Sequence, residues 1–128
     1  MTNDDERSNS PGHSKFDLAE RTAVFGERLI IFLKQLPPNE ITVPLKRQAI
    51  RSGTSIGANY NEADEAGSKK EFRHIISLCK REAKETMYWL RMLAAAVPDH
   101  KSELRQLWKE SRELSRIFAT IHRKLADD

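Results

Sequence analysis

A step of four and three residues repeats without a break from Phe72 to Val97. It passes through Phe72, Ile76, Cys79, Ala83, Thr86, Leu90, Leu93 and Val97, each apolar or small. A strand alternates with a period of two, so only a helix with one buried face can carry this pattern over nearly four heptads. Ser68-Lys-Lys-Glu71 supplies a capping box before it and Pro98 a stop behind it. The same step runs through Leu104, Leu107, Ser111, Leu114, Phe118, Ile121 and Leu125. An earlier stripe of Leu18, Phe25, Leu29, Phe32 and Leu36 ends at Pro37-Pro38, which cannot continue a helix. Asp17, with Glu20 three residues on, fits a capping box at its start.

The stretch between these helices is less regular. Leu45, Ala49, Ser52, Ile56, Asn59 and Ala63 keep the four-three step, and Pro44 suits a first turn. Gly53 and Gly57 interrupt it, each costing about 1 kcal/mol against Ala in a helix. Small residues on a seam let backbones approach closely and packing overrides propensity, so one continuous helix is expected. Its glycines then mark a tight contact, within the chain or between subunits. Gly53, Gly57, Tyr60, Tyr88 and Trp89 are the expected subunit contacts. The linkers at 37–41, 66–68 and 98–101 are short, which makes consecutive helices antiparallel neighbours. The expected architecture is an all-α, up-down-up-down antiparallel four-helix bundle over residues 16–126, in one domain, behind a polar tail of residues 1–15.

Composition narrows the function. A single Cys among 128 residues excludes an internal disulfide framework and a cysteine-built zinc site. The start, Met1-Thr-Asn-Asp-Asp-Glu6, is acidic and lacks the apolar core of a signal peptide. No stretch is apolar enough to span a membrane, and a cytoplasmic location is the expectation. The net charge of +3 permits nucleic-acid binding without requiring it.

The motifs that carry chemistry are sparse. Glu71-Phe-Arg-His74 matches half of a bundle di-iron site, but no second Glu-x-x-His follows, so neither a metal nor another cofactor is expected. Cys79 falls on a seam, where a thiol is buried and inert. Arg116-Ile-Phe-Ala-Thr-Ile-His122 resembles the Arg-x(4–6)-His signature of helical HEPN-class ribonucleases, although Ile117 fills a position usually polar there. Basic residues form stripes: Arg73, Lys80, Lys84 and Arg91 on the third helix, and Arg105, Lys109, Arg112, Arg116 and Arg123 on the fourth. Such faces follow a phosphate backbone, yet interleaved Glu82, Glu85, Glu103, Glu110 and Glu113 offer ordinary pairing along the same helices. A last constellation joins Asn59, on the seam, with Arg51, Ser55 and Glu62 on its helix and Glu85 on the antiparallel neighbour. A buried polar group of this kind fixes register or grips a ligand.

Those residues also carry a family resemblance. The stretch Arg51-Ser-Gly-Thr-Ser-Ile-Gly-Ala-Asn-Tyr-Asn-Glu-Ala63 resembles the R-x-x-x-S-I-x-x-N-x-x-E signature of the bacterial "four helix bundle protein" family. Its founding members are encoded in intervening sequences of large-subunit ribosomal RNA genes. Ser68-Lys-Lys-Glu-Phe72 and the run from Ser77 to Leu93, with Glu85 at the characteristic Glu, look like the same family's third helix. The resemblance covers roughly residues 16–125. It implies a homopentameric ring and no known reaction. It also implies kinship with the accessory protein of diversity-generating retroelements, a basic ring that engages RNA and a reverse transcriptase. The implied partners are therefore copies of the chain itself, RNA or DNA, and a nucleic-acid enzyme. Many members follow the signature Glu with Gly and then a basic residue, where this chain has Ala63-Asp64-Glu65-Ala66. That acidic pair argues against nucleic-acid contact by this loop, and it matches the intervening-sequence branch rather than the retroelement one. Three functions compete: a non-catalytic interaction ring using Lys80, Lys84, Arg91, Arg105, Lys109, Arg112 and Arg116, a metal-independent ribonuclease using Arg116 and His122, and a scaffold for protein alone.

Overall fold

The computed structural model describes the backbone of residues 14–126 and side chains from Leu18 onward. Four α-helices follow one another: α1 (Ser14–Leu33), α2 (Thr42–Ala63), α3 (Lys69–Ala96) and α4 (Lys101–Ala126). A 3-10 turn, Pro98–His100, joins the last two. No strand occurs among the described residues. The chain is the expected all-α four-helix bundle.

Helix ends differ in detail from the sequence expectation. The backbone is already helical at Ser14, so Asp17 lies a turn inside α1 rather than at its cap. Its side chain, like residues 1–13 of the expected tail, lies outside the described residues. At the other end α1 stops at Leu33, before the prolines. Gln35 N–H bonds Phe32 O at 3.0 Å and Leu36 N–H bonds Leu33 O at 3.2 Å, a tightened exit turn. Pro37 bars the helical conformation for Leu36, yet Leu36 still buries its side chain at 2% exposure. Asn39 then launches α2: its Oδ1 accepts from the N–H groups of Ile41 and Thr42, both at 2.9 Å. Thr42 in turn donates to Pro37 O at 2.6 Å and accepts from Asn39 N–H at 3.0 Å. Ser68 caps α3 as read from the sequence, but the reciprocal bond of the box goes to Gly67 rather than to Ser68 itself. Glu71 N–H reaches Ser68 Oγ at 3.1 Å, while the Glu71 carboxylate takes the Gly67 N–H at 3.0 Å.

Helix α2 is continuous through both glycines, and the tight contact they mark lies inside the bundle. A Cβ at Gly53 would overlap the Leu29 side chain, and one at Gly57 would sit 3.1 Å from Thr22 Oγ1. The missing side chains therefore let α2 close onto Thr22, Phe25 and Leu29 of α1. The core runs the length of the molecule, with Phe25, Leu29, Ile56, Ile76, Leu90, Leu93, Leu104, Leu114 and Phe118 all buried. Each such side chain contributes about 1.5–3 kcal/mol of transfer free energy. Small hydroxyls on the seams find partners too. Thr86 and Ser52, both buried, bond at 2.8 Å across α2 and α3, and Ser111 Oγ donates to Ala83 O of α3 at 2.7 Å. The packing is uneven: α3 is held on both sides by α2 and α4, whereas α1 touches α4 only over a short stretch.

Candidate functional site

The five signature residues do not converge on one point. Arg51 reaches across to α3, where its guanidinium pairs with Glu85 and approaches Glu82 at 3.5 Å. Glu85 Oε2 also accepts the Trp89 indole N–H at 3.1 Å, and Tyr88 sits edge-on to Trp89 with centroids 5.0 Å apart. Ser55 and Asn59 instead bond back along their own helix. The Ser55 hydroxyl donates to Arg51 O at 2.6 Å and Asn59 Nδ2 donates to Ser55 O at 2.9 Å. Glu62 is exposed, a turn further on. The cluster is thus an Arg51–Glu82–Glu85–Trp89 network on the α2–α3 surface, with Asn59 outside it. The buried polar contact across this seam is Ser52–Thr86, not Asn59.

The expected subunit contacts also divide. Gly53 and Tyr60 are buried, and Gly57 is pressed against Thr22. The Tyr60 ring lies 5.9 Å from that of Phe118, and burial raises its phenol pKa, with Asp64 and then Cys79 adding to the shift. These three face the chain's own core, because the small residues of α2 are used to seat α1. Tyr88, 53% exposed, and half-buried Trp89 remain at the surface.

The residues weighed for catalysis and metal binding are apart. Cys79 is fully buried and its thiol is pushed up to about 12, chiefly by burial. Glu71 serves the α3 cap, and among the described residues no three His, Cys, Asp or Glu side chains gather where an ion would sit. Arg116 and His122, six residues apart on α4, point roughly 120° from each other. No hydrogen bond joins them. His122 lies toward α3, where its own carbonyl accepts from Arg73 Nε at 3.4 Å. Burial, then Arg73, then Lys80 hold its pKa below the usual 6.5.

The basic stripes make the strongest pattern. In sequence they interleave with carboxylates, but the bundle sorts the two signs by direction. Glu110 faces α1 and grips Arg21 through two bonds of 2.7 and 2.9 Å. Glu103 lies in the crevice between α1 and α4 and approaches His100 at 3.7 Å, while Glu113 is exposed. Glu82 and Glu85 face α2 and hold Arg51. The flanks of α3 and α4 that adjoin each other keep the cations: Arg73, Lys80, Lys84 and Arg91 on one helix, Arg105 and Arg112 on the other. Lys109 and Arg116 lie just beside them. Among the described residues no carboxylate comes within ion-pair distance of Arg91, Arg105 or Arg112. The pairing of these three cations along α3 and α4 that the spacing allowed does not form, and Glu82, Glu85 and Glu110 bond to neighbouring helices instead.

Two members of this face escaped sequence reasoning. Lys101 and Trp108 join Arg105 and Arg112 in a step of four, three and four, so one α4 flank carries all four side chains. The Arg112 guanidinium lies 5.1 Å from the Trp108 ring centroid. The spacing was a usable signal, but Trp108 reads from sequence as a seam-edge apolar residue.

Comparison with known proteins adds a family and a fold. The 23S rRNA-intervening sequence protein family matches residues 14–120. A crystal structure of a protein of unknown function from the S23 ribosomal protein family of Bacteroides thetaiotaomicron superposes with a TM-score of 0.77 at 28% identity. It covers 85% of this chain and 97% of its own. No curated protein matches the chain.

Proposed function

The chain belongs to the 23S rRNA-intervening sequence protein family, and from that premise we propose that it is a non-catalytic interaction module. It assembles with copies of itself and turns the cationic α3–α4 face toward a nucleic acid. The observation that carries this reading is the sorting of charge. Glu82 and Glu85 of α3 bond to α2 and Glu110 of α4 bonds to α1, leaving a run of cations with no carboxylate partner among the described residues on one flank. Phosphate binding needs such a run and needs no catalytic group. On α3 alone it extends about 27 Å, from Arg73 to Arg91, at 1.5 Å per residue.

Self-assembly has separate support. Ile31 and Ile41 are 62% and 58% exposed, and Ile30 and Val43 lie near them at the end of α1 and the start of α2. An apolar patch of this kind marks an interaction surface, here beside the helix that the bundle packs least. A ring would multiply the cationic face, so that avidity offsets weak single-site binding.

The test is binding of a labelled RNA at rising salt, on protein whose mass is fixed by light scattering and whose absorbance ratio reports carried nucleic acid. Affinity should fall steeply and linearly on a log–log plot, and reversing Lys80, Lys84 and Arg91 to Glu should flatten the slope. An assembly free of nucleic acid and indifferent to added RNA would replace this reading by the protein scaffold. RNA cleavage that survives chelator and disappears in His122→Ala would replace it by the nuclease.

A further inference from the structure

The cationic face is not uniform. Between the second half of α3 and the first half of α4 it opens into a groove of about 290 Å³. Leu90, Ala94, Leu104 and the Trp108 indole form its floor, and Arg91, Lys101 and Arg105 its rim. The volume is just under the ~300–1,000 Å³ of pockets that enclose drug-sized ligands, which leaves room for one flat ring system. None of these seven side chains offers a hydrogen-bond acceptor. Whatever enters must bring an apolar or aromatic body and its own negative charge.

Trp108 adds a directional feature. The Arg112 guanidinium already lies against its ring, and Arg112 Nε is buried with no hydrogen-bond partner. A planar cation on an indole, beside an open apolar slot, is a stack with room for another plane, and nucleobases add to such stacks. Cations also continue past the groove toward Lys84, Lys80 and Arg73. An extended run matches a chain with a charge on every unit, whereas an acidic peptide with one apolar anchor needs only the rim.

We propose that this groove receives one unstacked base of a single-stranded nucleic acid against Trp108, while Arg91, Lys101 and Arg105 hold the phosphates on either side. The inference rests on the nucleic-acid reading of the α3–α4 face and adds a strand preference to it. A duplex keeps its base faces inside its own stack and meets only the cations. Stacking on Trp108 needs only a base's flat π-face, which every base has, so the site tolerates any base.

Trp89 and Trp108 are the only tryptophans, so Trp89→Phe leaves Trp108 as the sole indole reporter. In that variant a short oligouridylate should quench the fluorescence and a duplex with the same number of phosphates should not. By anisotropy, Trp108→Ala should bind the oligouridylate about tenfold more weakly, the loss of one base–aromatic stack, with duplex affinity unchanged. Trp108→Phe, which keeps a ring and the packing, should recover most of the loss, and circular dichroism should show both variants equally helical. Single-strand affinity unaltered in Trp108→Ala would overturn the base pocket while leaving the cationic face intact. If the wild-type protein binds neither strand, the nucleic-acid reading itself falls and the inference with it. Quenching by a Glu-rich peptide bearing one Phe, but not by oligouridylate, would assign the groove to a protein partner and overturn the proposal.

Discussion

At Gly53 a single methyl group decides between two physical effects. Ala gains about 1 kcal/mol over Gly in a helix interior, but overpacking a filled core costs about 1–3 kcal/mol. The added Cβ would overlap the end of the Leu29 side chain, which is fully buried and would have to shift within the packed core. Gly53→Ala should therefore lower stability, by about 1 kcal/mol net. Gly26 of α1 differs, since its added Cβ would meet Thr54 at an ordinary 3.8 Å. Gly26→Ala should raise stability by about 0.5–1 kcal/mol. Opposite shifts in urea midpoint would check both. His122 gives a residue-scale pH effect. Burial, Arg73 and Lys80 lower its folded pKa below the 6.5 of the unfolded chain. The unfolded state then takes up the proton first, so acidification favours unfolding. This effect is absent well above pH 6.5, grows as the pH falls from there to the folded pKa, and is constant below it. His122→Gln should flatten that part of the stability–pH curve. An NMR titration should show the imidazole pKa rising when a polyanion covers Arg73 and Lys80.

Between elements, small hydroxyls bridge the buried seams, while the ion pairs of Arg21 and Arg51 lie nearer the surface. Ser52 and Thr86 meet in the buried α2–α3 seam at 2.8 Å, and Thr86 also lies 2.8 Å from Glu82 O. Thr86→Val keeps the shape and removes the hydroxyl, so it should cost about 1 kcal/mol by leaving Ser52 without its cross-helix partner. A double-mutant cycle with Ser52→Ala should show positive coupling, since removing both hydroxyls leaves nothing unsatisfied. Arg51 presents a contrast. Its ion pairs with Glu82 and Glu85 are at the surface, where such pairs contribute about 0–1 kcal/mol. Arg51→Met should change stability less than Thr86→Val does. The Arg51 network shapes the α2–α3 surface around Trp89 and adds little to the fold's stability.

For the whole molecule, the surfaces proposed for assembly and for binding lie on different sides. The apolar residues near the α1–α2 connection lie on the weakly packed α1 side, and the cations lie where α3 and α4 adjoin. Ile31→Asp should reduce the mass measured by light scattering without lowering helix content, because Ile31 is 62% exposed. It should also weaken RNA binding while leaving every cation in place, which is the signature of lost avidity. Equal affinity in the dissociated variant would show that one chain suffices for binding.

The four helices, their order and most of their ends follow from local rules. An apolar step over several turns, a proline pair and a Ser-x-x-Glu cap act within a few residues, so each was legible without knowing the neighbours. Continuity of α2 through Gly53 and Gly57 was legible as well, but not whom those glycines admit: only packing shows that α1 fills the space. The cationic face proposed for binding was half legible. Spacing placed Arg73, Lys80, Lys84, Arg91, Arg105 and Arg112 beside their seams, and it placed Glu82, Glu85, Glu103 and Glu110 beside the same seams. Periodicity fixes a residue's angle from its own seam, not which helix stands on the left or the right of that seam. That choice belongs to the tertiary arrangement. Once made, it sends Glu82 and Glu85 to Arg51 and Glu110 to Arg21, and it leaves the cations and Trp108 together.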